Sequence, residues 1–285
     1  MNAMTTDSVP SLAKEALNPP PAWGRRTRIM GILNVTPDSF YDGGRHNLPD
    51  DAVVQARRME SEGADWIDIG AESTRPGATP VSEDEELRRL LPVIDQVHQA
   101  CQCPISVDTS KASVARAALQ AGATWVNDIR GLQGDVAMAG VVAAAGASVI
   151  IMHSQRGTDY PDGVVTGINR FFETSLRIAE KAGIARECVV LDPGIGFGKT
   201  TAQNLEILRE LREFRRLGLP LLVGVSRKSV IGHVLNLPPE ERLEGSLAAT
   251  VVAVAAGADA VRVHDVQAQV RVARMADAVY RVSHG

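Results

Sequence analysis

The segment Gln120-Ala-Gly-Ala-Thr-Trp-Val-Asn-Asp-Ile129 contains one whole structural unit of this chain. Gly122 follows a helical run where a left-handed cap is needed, and Thr124–Ile129 is an apolar run of strand length. Polar Asn127 and Asp128 stand at the end of that run. Ala-Gly-Ala recurs at 121–123, 145–147 and 256–258, each time just before a strand-like run. Gly63, Gly146, Gly183, Gly218 and Gly257 hold the same place as Gly122, between a helical run and the next strand.

Read outward from this unit, the chain predicts eight strands: Arg28–Val35, Trp66–Gly70, Pro104–Asp108, Thr124–Ile129, Ser148–His153, Val189–Asp192, Pro220–Val225 and Ala260–His264. They are short and apolar, as strands buried on both faces are, and a helix-like stretch follows each one. One of these helices opens with Ser82 and Glu85, spaced as a capping box. Eight βα units fit a closed (β/α)8 TIM barrel, a single α/β domain, better than an open doubly wound sheet, which usually has fewer strands. The barrel is expected over residues 28–285, preceded by a flexible arm over 1–27.

Composition narrows the partners. The 285 residues are 45% hydrophobic and 22% charged, with a net charge of −4, enough for a large core and unlike a disordered chain. With 4% aromatic residues and no basic excess, nucleic acid is a poor partner. The uncharged stretch Val136–Met152 is too short and too rich in Ala and Gly to span a membrane. No secretion signal is readable near the start, where Pro19, Pro20 and Pro21 precede Arg25, Arg26 and Arg28. Cys101, Cys103 and Cys188 form neither a disulfide framework nor a zinc spacing, so a cytoplasmic protein with reduced thiols is expected.

In such a barrel the chemistry belongs at the C-terminal ends of the strands. Those ends carry Asn34, the segment Glu72–Arg75, Asp108, Asn127 with Asp128, His153, Asp192, the trio Ser226, Arg227 and Lys228, and Arg262 with His264 and Asp265. One polar residue after one strand is usually a turn former, whereas a polar residue after every strand suggests a binding ring. Asp108, Asn127 and Asp192 would form a wall of acceptors for a flat heterocycle rich in N–H groups. Lys228, Arg262 and His264 would take a phosphate group, and Asn34 would offer a neutral oxygen to a Mg²⁺ ion. The glycine-rich Asp192–Thr200 segment misses both the Walker and the dinucleotide patterns by one residue. It is read as a close-approach loop that brings backbone to a ligand, with Lys199 over the mouth. Segments at Gly43-Gly44 and Arg75-Pro76-Gly77 are candidate lids.

Seven segments stand out together: Met30-Gly-Ile-Leu-Asn-Val-Thr-Pro-Asp-Ser-Phe40, Glu72-Ser-Thr-Arg-Pro-Gly-Ala78, Ser106-Val-Asp-Thr-Ser-Lys111, Asn127-Asp-Ile129, Leu191-Asp-Pro-Gly-Ile-Gly-Phe-Gly-Lys199, Ser226-Arg-Lys-Ser229 and Arg262-Val-His264. In these motifs and their order the chain resembles the dihydropteroate synthases. The resemblance implies condensation of 6-hydroxymethyl-7,8-dihydropterin diphosphate with 4-aminobenzoate, giving 7,8-dihydropteroate and pyrophosphate in folate biosynthesis. It also implies Mg²⁺, a homodimer and competition by sulfonamides. By motif, Asp108, Asn127, Met152, Asp192, Gly196, Phe197 and Lys228 would hold the pterin. Asn34, Thr74, Arg75, Arg262 and His264 would surround the diphosphate and metal, and Thr74, Arg75, Phe197, Lys228 and Ser229 the 4-aminobenzoate. Asp108, Lys228, Arg262 and His264 are the expected catalytic residues of an SN1-like displacement.

Three positions depart from the pattern: Ala71, Ile195 and the segment His153-Ser-Gln-Arg-Gly-Thr158. Two other readings stay open at this level. A methyl-transfer module would share the barrel and pterin wall but have no use for a phosphate end. A weakly catalytic paralogue would bind pterin without turnover.

Overall fold

The computed structural model describes residues 22–35, 48–72, 81–155 and 157–281. Strands and helices alternate in the order β1 (Arg28–Asn34), α1 (Leu48–Glu62), β2 (Trp66–Gly70), α2 (Glu83–Ala100), β3 (Ile105–Asp108), α3 (Ala112–Gln120), β4 (Trp125–Asp128), α4 (Met138–Ala145), β5 (Ser148–Met152), α5 (Val164–Ala182), β6 (Val189–Asp192), α6 (Thr201–Arg209), α7 (Leu211–Phe214), β7 (Leu222–Val223), α8 (Ser229–Leu235), α9 (Leu243–Ala255), β8 (Ala260–Val263) and α10 (Val266–Tyr280). All strand pairs are parallel, in the order β6-β5-β4-β3-β2-β1-β8-β7. A parallel bridge from Leu191 to Leu221 closes the remaining seam, so the fold is the expected (β/α)8 barrel. The short helices α7 and α8 are additions to the simple alternation.

Helix ends follow the local chemistry. All six cap glycines have positive φ, from +62° at Gly146 to +114° at Gly122. At Gly122 a Cβ would also lie 2.5 Å from the His98 ring. Ser82 caps α2 through the amide of Glu85, but the reciprocal half of the expected box is missing because the Glu85 carboxylate pairs with Arg88 and Arg89. A complete capping box occurs instead at Thr200 and Gln203.

Strand periodicity divides the core in two. Residues of one parity, such as Ile29, Leu33, Ile67, Ile69, Val107 and Val126, pack outward under the helices. Those of the other parity fill the barrel's lower half: Met30, Trp66, Trp125, Ile150, Val190, Leu222 and Ala260. Trp23 covers this plug, edge-on to Trp66 and Trp125 at 6.2 and 6.4 Å between ring centroids. Of the expected arm, residues 22–27 are described and they pack on the barrel: besides Trp23, buried Thr27 bonds Asp277 through its amide and hydroxyl, each at 2.7 Å. The N-terminal mouth is therefore stoppered by apolar rings.

Candidate functional site

The parity that points Trp66, Trp125 and Ala260 inward also points Asp68, Asp108, Asn127, Asp192 and Arg262 inward, one or two steps higher. Register places Asp108 beside Asn127, and Met152 beside Asp192. The acceptor wall thus runs over β3 and β4, then across Met152 of β5 to β6. Inward-facing glycines leave room for these groups. A Cβ on Gly70 would lie 3.2 Å from that of Asp108. A Cβ on Gly224 would meet Lys228 Nζ at 3.6 Å, Arg262 Cβ at 3.7 Å and Asp192 Oδ2 at 3.8 Å, which shows how closely those three side chains converge.

Arg262 links the two halves of this ring. Its Nε donates to Asp68 Oδ2 at 2.6 Å and its Nη2 to Asp108 Oδ2 at 2.8 Å. Asn127 Nδ2 donates to the same Asp68 oxygen at 3.0 Å. The guanidinium therefore lies at the acceptor wall, two residues deeper than His264. Burial lowers its affinity for a proton, yet the charges of Asp68 and Asp108 outweigh that and hold it above its ordinary value. Burial raises the Asp108 carboxyl well above the carboxylate range, against the pull of Arg262 and with the help of Asp68. Asp192 is likewise raised by burial, against the pull of Lys228 and its bond from the Gly194 amide. Burial brings the Lys228 ammonium down to about 8 although Asp192 attracts it. Lys228 donates to the Ile195 carbonyl at 2.6 Å and lies 4.7 Å from the centre of the Phe197 ring.

The glycine-rich loop is a close-approach loop, but its close partner is protein. A Cβ on Gly194 would fall 1.9 Å from the His153 carbonyl oxygen and one on Gly198 2.2 Å from that of Gln155. Lys199 does not stand over the mouth. Its ammonium turns back under the loop, donating to the Gly194 and Phe197 carbonyls at 2.8 Å each and to His153 Nδ1 at 3.0 Å. Burial brings Lys199 down to about 7, and burial with the Lys199 charge brings His153 down to about 3, so this imidazole is neutral. His153 faces away from the barrel interior, against Phe171 and Tyr160.

Several other strand-end residues make contacts within the protein. Asp128 accepts the amides of Arg130 and Leu132, Glu72 pairs with Lys111, and Arg227 pairs with Asp265. Ser226 Oγ holds His264 at 3.1 Å from Nδ1 and 3.2 Å from the amide, leaving the ring exposed at the rim. Asn34 ends β1 on the inward parity and is exposed, and Ser229 is exposed at the start of α8. Thr74, Arg75 and both expected lids lie outside the described residues. Asp68 was missed in the sequence; its signal is a lone charge in Trp-Ile-Asp-Ile-Gly, on the parity of Trp66.

Among the described residues, no group of three or more His, Cys, Asp or Glu side chains could hold a metal, and no helix is long and apolar enough to cross a membrane. The three cysteines are free.

Residues 30–264 match the family described as pterin binding enzyme. A dihydropteroate synthase of Synechocystis is 49% identical over 267 residues, covering 91% of this chain and 92% of its own. Among solved structures, a dihydropteroate synthase from Clostridium difficile in the presence of pteroic acid is 53% identical, with a TM-score of 0.89 over 91% of this chain and 99% of that one. The Xanthomonas albilineans enzyme with 4-aminobenzoic acid is 45% identical, with a TM-score of 0.87 over 90% of this chain and 94% of its own.

Proposed function

The chain belongs to the dihydropteroate synthase family, and on that premise we propose a mechanism built from its own residues. It condenses 6-hydroxymethyl-7,8-dihydropterin diphosphate with 4-aminobenzoate to give 7,8-dihydropteroate and pyrophosphate. The observation that carries the mechanism is the convergence of Asp108, Asn127, Asp192, Lys228 and Arg262 above an apolar plug. Asp192, Asn127 and Asp108 accept the N–H groups of the pterin ring, and Met152 packs against its face. Lys228 and the Phe197 ring bridge from the pterin toward the 4-aminobenzoate, with Ser229 at its rim.

The reaction is a dissociative displacement. The bond from the pterin methylene carbon to the diphosphate oxygen breaks, and its electron pair leaves with pyrophosphate. The cation left behind is delocalised into the electron-rich ring, where the Asp108 anion favours it. The 4-aminobenzoate nitrogen then attacks and loses its proton, and no covalent enzyme intermediate forms. Arg262 and His264, with Thr74 and Arg75, receive the diphosphate.

Asn34, a single exposed amide with no acidic residue beside it in β1, suits a Mg²⁺ ion that keeps most of its water and rides on the phosphates. Such an ion would stabilise charge on the departing pyrophosphate. A homodimer, sulfonamide competition at the 4-aminobenzoate end and a cytoplasmic setting belong to the same proposal. Exposed Leu205, Val234, Leu235 and Val252 on the mutually packed helices α6, α8 and α9 supply an apolar face for the dimer.

The test is pyrophosphate release by the purified chain, with pterin diphosphate, 4-aminobenzoate and Mg²⁺ each omitted in turn and the product identified by mass. Release that needs all three, with dihydropteroate formed, is expected; pterin binding without product would overturn the catalytic reading. Asp192→Ala is expected to weaken pterin binding by about a hundredfold, because N–H groups of the ligand lose their acceptor.

A further inference from the structure

Three polar oxygens under the mouth are buried and lack a hydrogen-bond partner: Asp68 Oδ1, Ser106 Oγ and Asn127 Oδ1. The Asn127 oxygen is informative because an amide can be turned end for end, exchanging an acceptor for a donor. What decides its orientation is Asp68, fully buried in the middle of β2. Asp68 Oδ2 accepts Asn127 Nδ2 at 3.0 Å, so the donor end of the amide is held toward Asp68 and Oδ1 is turned away from it. The same oxygen takes Arg262 Nε at 2.6 Å, while Asp108 takes Nη2 at 2.8 Å, so the guanidinium plane is fixed at two points.

We propose that Asp68 is the positioning residue of the pterin end: it sets the Asn127 amide with its oxygen free as an acceptor and locks Arg262 against Asp108. The proposal rests on the pterin-binding reading of this site and deepens it. Asp68 touches no substrate in this scheme. It acts through Asn127 and Arg262, and its consequence is a site that is an acceptor toward the ring before the ring arrives. Tuning the orientation with a carboxylate also explains why a charge is tolerated at the centre of a strand whose other residues are apolar: its two donors and the guanidinium charge offset its desolvation.

The Asp68→Ala substitution removes the acceptor. Asn127 Nδ2 and Arg262 Nε both lose their partner, so the Asn127 amide is free to turn end for end and Arg262 is held by Asp108 alone. Calorimetry with 6-hydroxymethylpterin on the full chain should show binding weakened by at least about thirtyfold, while the KM for 4-aminobenzoate changes less than about threefold. Asp68→Asn separates position from charge. Arg262 Nε–H only donates, so the new amide turns its oxygen to the place of Oδ2 and accepts from Arg262 Nε and Asn127 Nδ2 as the carboxylate does. This variant should bind the pterin within about fivefold of the wild type.

Thermal melting accompanies each measurement. Wild-type affinity in Asp68→Ala, or an Asp68→Asn variant that melts like the wild type yet binds as weakly as Asp68→Ala, would overturn the positioning role. If the wild-type chain binds no 6-hydroxymethylpterin while remaining folded, the functional reading falls and this inference with it. Binding by the wild type with no recovery in Asp68→Asn overturns this inference alone.

Discussion

Asp108 shares one cation with a second carboxylate. Arg262 is held by Asp68 and Asp108 together, so one guanidinium serves two largely buried carboxyl groups. Burial is the main reason that the Asp108 carboxyl is pushed up to about 7. A raised value means the folded state holds the proton more firmly than the unfolded chain does. The stability this confers is present at low pH and is lost as pH rises through about 7. The proposed chemistry, in contrast, needs the anion. Turnover should therefore fall on the acid side of neutrality, well above the pH at which an ordinary aspartate would be protonated. Asp108→Asn removes the charge and keeps the shape. It should lower kcat by about a hundredfold or more, yet melt a few degrees above the wild type at pH 8, the gain shrinking toward pH 5. Paired pH–rate and pH–melting curves check both halves, and a variant that melts below the wild type at pH 8 would remove the argument.

At the scale of elements, the loops after β5 and β6 behave as one body. Gly194 and Gly198 press on the His153 and Gln155 carbonyls, Lys199 spans both loops, and Tyr160 Oη donates to the Gly198 carbonyl at 3.1 Å. Gln203 Nε2 adds a bond to the Thr158 carbonyl at 2.9 Å. The turn from Gly194 to Phe197 carries the carbonyl that holds Lys228 and the ring beneath it. Gly194→Ala adds a methyl where the His153 carbonyl oxygen already sits, at a φ of +67° that L residues rarely adopt. The loop must shift, and Phe197 and Ile195 shift with it. Initial rates should show the KM for 4-aminobenzoate raised about tenfold or more, with a smaller loss of melting temperature. An unchanged KM would show that the loop pairing is unrelated to the pocket. The need for glycine was legible in the sequence, but its partner was not, because the two loops are about 40 residues apart and each looks complete alone. Lys199 was misplaced for the same reason: a lysine beside a site reads as a ligand contact until the carbonyls that hold it are in view. Asp68 went unread because polar residues were sought just after strands, and it lies within one.

For the molecule as a whole, strand alternation separates what holds the barrel together from what it does. The eight-strand order, the cap glycines and the polar C-terminal rim were readable because each repeats or sits at a fixed phase of the βα unit. The stopper was not, since Trp23 follows a run of prolines outside any periodic pattern and meets Trp66 and Trp125 only once the strands have closed. Trp66 and Trp125 are the first residues of β2 and β4, whereas Asp108, Asn127 and Asp192 lie at or next to the last residues of their strands. The Trp23 ring is therefore at the opposite end from the chemistry. Removing it uncovers the stacked indoles, whose centroids are 5.4 Å apart, without touching the mouth. Trp23→Ala should cost about 2 kcal/mol of stability, less than a fully buried tryptophan because the ring is partly exposed, and lower the melting temperature by several degrees. The KM values for both substrates should stay within about twofold of the wild type at a temperature where the variant is folded. A changed pterin KM with an unchanged melting temperature would mean that the two ends of the barrel are coupled, and that the division of labour along its axis does not hold.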